Sequence, residues 1–452
     1  MQVTATLSEG LKREFRVVVP VADLAARAEA RLDDLKGRVS INGFRPGKVP
    51  TAHLKKLYGR AVLAETIEAV VGEANQKIIN DNSFKLAQEP AVKLPEAQEE
   101  AQAVFEGKAD LDYTVAFEVL PTIQLADFKG IKVEKPVVEP AESDIQDMLE
   151  TMAKQNRPYE PKAEGAAAEN GDRLSIGFVG TIDGEKFEGG SADEIPLELG
   201  SNSFIPGFED QLVGVKAGEE KLVKVKFPSN YMAANLAGKD AEFAVTVKTI
   251  EKPGERAIDE EFAKMVGFED LAKLKAAVSD RLKSEYTAAS RRKLKRSLLD
   301  ALDERHSFDL PQTLVDQEFD SVWRQVTQDL ESRGKTFSDE ETTEEKAKAE
   351  YRAIAERRVR LGLVLAEIGE KAQIKVSDEE VSRAVVERAR QFPGQEQQVW
   401  DYYRKTPQAL ASLRAPIFEE KVVDYILELA DVTEKTVSKD ELFKDNDDED
   451  AA

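Results

Sequence analysis

The chain has no cysteine and only two histidines in 452 residues. The first absence removes disulfides, thiolate nucleophiles and sulfur-ligated zinc or iron–sulfur centres together. The second leaves His53 and His306, 253 positions apart, with no carboxylate cluster at metal-ligand spacing beside them. Neither a metal site nor a histidine-based triad is expected. The phosphate-cradling patterns GxxxxGK[ST] and GxGxxG are missing as well, and Gly189-Gly190 lacks the strand-to-helix context of a phosphate loop. Nucleotide chemistry and cofactors are therefore not expected. No run approaches the roughly 18 consecutive apolar residues of a membrane span. The segment Met1 to Gly10 has no apolar core of a signal peptide. These two absences point to a cytoplasmic protein with no membrane partner.

What the chain does have is enough apolar residue to fold, 41%, and an excess of charge. Charged residues reach 33% against roughly 25% in ordinary globular proteins, which implies much solvated surface. At roughly 150 residues per domain, this length implies about three domains. The net charge of −23 would by itself repel nucleic acid. Its distribution reverses that reading for one end. Residues 1–60 hold twelve basic and six acidic side chains, or +6, so the other 392 carry −29. A basic head on an acidic body presents the head to a polyanionic partner.

Local periodicity gives the organisation. Val3, Ala5 and Leu7, then Phe15, Val17 and Val19, alternate on either side of Glu9-Gly10 and predict a hairpin. Leu24, Ala28, Leu32 and Leu35 recur at helical spacing up to Gly37, and Leu63, Ile67, Val70, Ala74 and Ile78 do so again. Two glycines and two prolines within 43–50 cannot continue either helix, so this segment predicts a loop with Phe44 and Arg45 at its tip. Pattern alone leaves Phe44 as a docking residue or as a staple folded onto a neighbouring helix. An alternating run from Leu111 to Phe117 predicts a returning strand. Ile145, Leu149 and Met152 predict a short helix ahead of Arg157-Pro158. Residues 163–169, small, polar and aperiodic, predict a boundary.

Beyond Gly171, Leu174, Ile176 and Phe178 alternate toward Asp183-Gly184, a strong hairpin signal. Val223, Val225 and Phe227, and later Phe243, Val245 and Val247, predict further strands, while Pro206-Gly207-Phe208 reads as a turn opening a short helix. From about Ala257 the period is helical: Leu271, Leu274, Val278, Leu282, then Leu294, Leu298 and Leu302. Ser377 to Glu380 forms a capping box signal before Val381, Val385 and Ala389. Leu361, Val364, Leu365 and Ile368 read as a stripe buried in a bundle. Asp440 to Asp450, with seven acidic residues against Lys444, predicts a disordered tail.

Two motifs carry a resemblance. Gly43-Phe44-Arg45-Pro46-Gly47-Lys48-Val49-Pro50 is similar to the ribosome-docking signature of the trigger factor family of chaperones. That implies contact of Gly43, Phe44, Arg45, Gly47 and Lys48 with a tunnel-exit protein and ribosomal RNA of the large subunit. Pro46 stands where the family's core has lysine, which removes one charge. Gly171 to Arg256 resembles an FKBP-type prolyl isomerase domain through Phe178-Val179-Gly180, Asp183 to Glu188, Leu199-Gly200 and Ile205 to Asp210. The resemblance implies a pocket at Phe178, Phe187, Glu188, Ile195, Phe204, Ile205, Phe208, Tyr231 and, on the last strand, Phe243 or Val245. Phe208 stands where drug-binding relatives carry tryptophan, and Ala233 where they carry a tyrosine, so weak immunosuppressant binding is implied.

The resulting expectation is a multidomain α+β protein. It has an α+β N-terminal ribosome-binding domain (1–120), a connector with a helix (121–170) and an FKBP-like antiparallel sheet with a short helix (171–256). An all-α chaperone domain (257–432) and a disordered acidic tail (433–452) follow. Rotation about an X–Pro bond needs no covalent intermediate, only relief from a barrier of about 18–20 kcal/mol. The implied partners are the ribosome and nascent or unfolded chains, with a homodimer off the ribosome also open. The competing expectation is a free cytosolic isomerase acting on folded clients, its helices a dimerisation scaffold. A third is a pure holdase on a catalytically dead isomerase fold.

Overall fold

The computed structural model describes residues 1–38, 44, 49–94, 103–104, 107–228, 231, 233, 235–340 and 342–444. The hairpin expected at the start forms from β1 (Gln2–Glu9) and β2 (Lys12–Val19), with Val3 opposite Val17 and Ala5 opposite Phe15. Next come α1 (Val21–Arg38) and α2 (Thr51–Asn82), then β3 (Ala91–Lys93) and β4 (Leu111–Glu118). The four strands make one antiparallel sheet in the order β1-β2-β4-β3. Period 2 on the strands meets period 3.6 on the helices. Phe15, Val17, Tyr113 and Val115 on the sheet bury against Leu24, Ile67, Val70 and Ala74 on the helices. Away from the sheet the two helices hold each other through Leu32, Leu54 and Val62, and Val49, just ahead of α2, completes this small cluster.

The second unit is a five-stranded antiparallel sheet of β6 (Tyr159–Pro161), β7 (Arg173–Ile182), β8 (Glu185–Glu198), β9 (Glu220–Lys226) and β10 (Asp240–Pro253). Asp183 and Gly184 both take positive φ, +53° and +86°, as the two-residue turn between β7 and β8 requires. Five residues, Phe208–Leu212, form α4 across the sheet, and Phe208, Leu212, Ile176, Val223, Phe243 and Val247 share its core.

The helical body contains α3 (Glu142–Gln155), α5 (Glu260–Met265), α6 (Leu271–Arg305), α7 (Gln312–Arg333), α8 (Glu344–Lys371), α9 (Asp378–Arg390), α10 (Glu396–Lys405) and α11 (Pro407–Leu429). At 1.5 Å per residue, the 35 residues of α6 form a spine about 52 Å long with two cores along it. Near its start Leu274, Val278 and Leu282 bury with Leu149 of α3 and Phe262 of α5. Toward its end Leu294, Leu298 and Leu302 bury with Leu361, Val364, Leu365 and Ile368 of α8 and Val422, Val423 and Ile426 of α11. His306 closes α6: Nδ1–H donates to Leu302 O (2.7 Å), leaving Nε2 to accept from the Ala126 amide (3.1 Å).

Two expected boundaries differ from this. The connector is divided between its neighbours: β5 (Lys132–Val137) and α3 pack into the helical body, with Ile131, Val133 and Leu149 in its cores, whereas β6 joins the five-stranded sheet of the second unit. The beginning of the acidic tail is ordered. β11 (Asp431–Thr436) pairs in parallel with β5, and α12 (Lys439–Phe443) seats a fully buried Leu442 beside Tyr286. The strand partners lie about 300 positions apart, so no local pattern reveals the pairing, and Leu442, with Val437 and Phe443 beside it, anchors a mostly polar segment. Residues 445–452 lie outside the described residues. The head meets the body where the buried Glu118 Oε2 accepts from the Thr313 amide (2.9 Å) and hydroxyl (2.7 Å), at the first turn of α7.

Candidate functional site

The second unit carries a cavity of about 400 Å³ lined by aromatic rings together with glycine, proline, isoleucine and serine. Alternation places Phe178 of β7 and Phe243 of β10 on the same side of the sheet, across neighbouring strands. Their rings lie 5.7 Å apart at 71°, an edge-to-face arrangement that aromatic quadrupoles favour. Phe208, 1% exposed, rises from the start of α4 as the floor, with its ring 5.4 Å from Phe243 and 6.3 Å from Phe178. Phe204 stacks on Phe208 at 5.0 Å, and Phe187 closes the other side 6.1 Å from Phe243. Ile205 and Tyr231 complete the expected lining.

Two expected residues are not brought in. Glu188 is exposed on β8, and Ile195 packs against the core opposite Ile176, outside the lining. Of the two last-strand alternatives, Phe243 lines the cavity and Val245 is buried in the core. Sequence reasoning did not assign Phe227, Pro228, Pro206, Ser203, Gly189 or Gly190, all of which line the cavity. Phe227 was within reach, because it ends the alternating run Val223, Val225, Phe227 and its ring stands 5.9 Å from Phe187. The glycines matter for space. A Cβ on Gly180 would fall 2.6 Å from the Phe243 ring, and one on Gly190 would fall 2.7 Å from Phe187. Both rings lean into volume that only glycine leaves free.

A carboxylate holds the rim in place. Glu209, buried beneath residues 200–204, accepts at Oε2 from the amides of Gly200 (2.9 Å) and Asn202 (2.9 Å). Its Oε1 accepts from the amides of Ser203 (2.8 Å) and Phe204 (3.1 Å). Burial pushes this carboxyl up, but the amides of Asn202, Phe204 and Ser203 and the Ser201 hydroxyl more than offset it, so its pKa lies below the ordinary value. The loop is thereby fixed with Phe204 over Phe208. An acidic residue directly after an aromatic one gives no hint in sequence that it turns back to gather four amides.

At the other end of the molecule, Phe44 is 38% exposed and its ring lies 5.3 Å from that of His53 on the first turn of α2. Phe44 therefore both contacts a neighbouring helix and presents surface to solvent. Gly43, Arg45, Gly47 and Lys48 lie outside the described residues. Among the described residues no three acidic or histidine side chains are grouped to hold a metal, and no helix is long and apolar enough to cross a membrane.

The comparisons agree with this division. Residues 1–152 match the model of bacterial trigger factor protein, 164–248 that of FKBP-type peptidyl-prolyl cis-trans isomerase, and 270–428 that of the bacterial trigger factor C-terminus. The trigger factor of Afipia carboxidovorans is 60% identical over the whole of both chains, and that of Rhodopseudomonas palustris 58%. The Azorhizobium caulinodans trigger factor is 60% identical over 98% of this chain and 99% of its own. A solved structure from work on substrate recognition by the trigger factor chaperone shares the fold, with a TM-score of 0.53 at 21% identity over 95% of this chain and 99% of that one. With likeness running through head, isomerase unit and helical body alike, the chain belongs to the trigger factor family.

Proposed function

We propose that this chain is a cytoplasmic chaperone that docks on the large ribosomal subunit through Gly43, Phe44, Arg45, Gly47 and Lys48. It meets nascent chains at the tunnel exit, where it contacts a ribosomal protein and rRNA, and it isomerises X–Pro bonds in the cavity of the second unit. The observation that carries the isomerase assignment is the set of phenylalanine rings in mutual contact along a space of about 400 Å³. A planar X–Pro amide is polarised by resonance, and at the 90° twist that polarisation is lost. Aromatic walls that exclude water solvate the twisted form better, relative to the planar one, than water does. Tyr231 and Ser203 at the cavity edge can orient the peptide, because each carries a hydroxyl.

Client holding is assigned to the helical body. An isomerase cavity encloses a few residues around one proline, whereas α10 buries none of its side chains and exposes Trp400 and Tyr402, with Phe392 exposed just before it. The test is Phe204→Ala in the full chain. Isomerisation of an X–Pro peptide should fall at least tenfold while suppression of aggregation of a denatured client stays at the wild-type level. Wild-type isomerisation would mean that the cavity is misassigned, and loss of both activities would place holding in the isomerase unit.

A further inference from the structure

From Leu35 to Ala64 the chain has no aspartate or glutamate and seven cations: Lys36, Arg38, Arg45, Lys48, Lys55, Lys56 and Arg60. In a protein with 87 acidic residues in 452, thirty consecutive positions without one form an exceptional field. Only Arg45 and Lys48 belong to the docking loop. The cations on α2 lie beyond it, on a helix that needs none of them to fold.

Their placement is specific. His53, Lys56, Leu57 and Arg60 fall at i, i+3, i+4 and i+7, one face of α2. The opposite side buries Leu54 and Val62 against α1. Lys56 and Arg60 are exposed one turn apart, about 6 Å along the axis, and neither forms an ion pair among the described residues. Between them Leu57 is 55% exposed. The face is continuous with the docking loop, since the ring of His53 touches that of Phe44.

Resting on the docking role of that loop, we infer that the His53–Lys56–Leu57–Arg60 face of α2 is a second part of the docking surface and takes RNA phosphates. Lysine is depleted in the buried centres of protein interfaces, whereas phosphate oxygens are the usual targets of exposed Lys and Arg. Exposed Lys56 and Arg60, unpaired among the described residues and one turn apart, suit the repeated charge of a nucleic-acid backbone. Each phosphate contact releases condensed counterions and contributes about 0.7–0.9 to the slope of log affinity against log salt. Lys56 and Arg60 together should contribute about 1.4–1.8.

The experiment uses the full chain with purified large ribosomal subunits, and separately with a fluorescent RNA oligonucleotide, from 50 to 200 mM KCl. K56Q/R60Q should lower the slope by about 1.4–1.8 on subunits and weaken binding to the oligonucleotide, while K56R/R60K restores both. Thermal melting and isomerisation should stay unchanged, because Lys56 and Arg60 are both exposed and belong to none of the buried cores. A K56Q/R60Q slope equal to wild type overturns the inference. So does weakened subunit binding with unchanged oligonucleotide binding, which would assign the face to an acidic protein. R45A/K48A judges the loop separately: wild-type subunit binding by that variant sinks the loop's role, and the helix face is still decided by the slope of K56Q/R60Q.

Discussion

Glu209→Gln changes one oxygen for one NH2 group beneath residues 200–204, and the geometry fixes what that does. Each carboxylate oxygen serves two backbone donors, Gly200 and Asn202 on one side and Ser203 and Phe204 on the other. A glutamine has one acceptor oxygen, so whichever way it turns, its NH2 faces two amide donors. Two charge-assisted hydrogen bonds are lost, each worth about 1.5–3 kcal/mol. Ser201, Asn202 and Ser203 are exposed, so water recovers part of this, leaving a cost of about 2–4 kcal/mol. For a unit of this size that lowers its melting transition by at least ~8 °C. Release of the loop also frees Phe204 from Phe208, and an X–Pro peptide assay run well below melting should show about a tenfold loss, equivalent to ~1.4 kcal/mol. Acid should remove the difference between the two proteins. The depressed pKa of Glu209 means that its contribution is complete above the unfolded carboxyl value of about 4.3 and disappears as pH falls through the folded value. The gap in melting temperature should hold above about pH 5.5 and narrow below about pH 4. A glutamine variant that melts and isomerises like wild type, or a gap indifferent to acid, would refute this role for Glu209.

Two further outcomes follow from buried groups. Tyr113 lies in the head core with its hydroxyl unpartnered, and burial pushes its pKa up to about 12. Tyr113→Phe should add about 1 kcal/mol of stability, and above about pH 10 wild type should weaken more than the variant, since ionisation of Tyr113 favours the unfolded chain; a loss of stability at neutral pH contradicts this. Leu442→Ala should cost the helical body about 2–4 kcal/mol in urea unfolding, because Leu442 is fully buried beside α6, whereas a disordered tail would give no change.

The elements legible in sequence were those whose hydrophobic period is local. The first hairpin, the strand with Phe178, the Asp183-Gly184 turn and the leucine stripe of α6 all reappear where periodicity puts them. Hidden from it were β5 and β11, which pair across some 300 residues, and β6, three residues long. The phenylalanines of the cavity were legible as a set only through the family resemblance, since taken one at a time each reads as core. What Glu209, Gly180 and Gly190 do was hidden for another reason. Their roles depend on the approach of groups from other strands and loops, and that distance is absent from the order of residues.

The most direct measurement of the docking claim is co-sedimentation of Phe44→Ala, Arg45→Ala, Lys48→Ala, combined in the full chain, with purified ribosomes. Phe44 is exposed and belongs to none of the buried cores, and circular dichroism should match wild type. The expected result is loss of the protein from the ribosomal pellet while X–Pro isomerisation in the supernatant continues at the wild-type rate. A triple variant that pellets with ribosomes as wild type does would contradict the account.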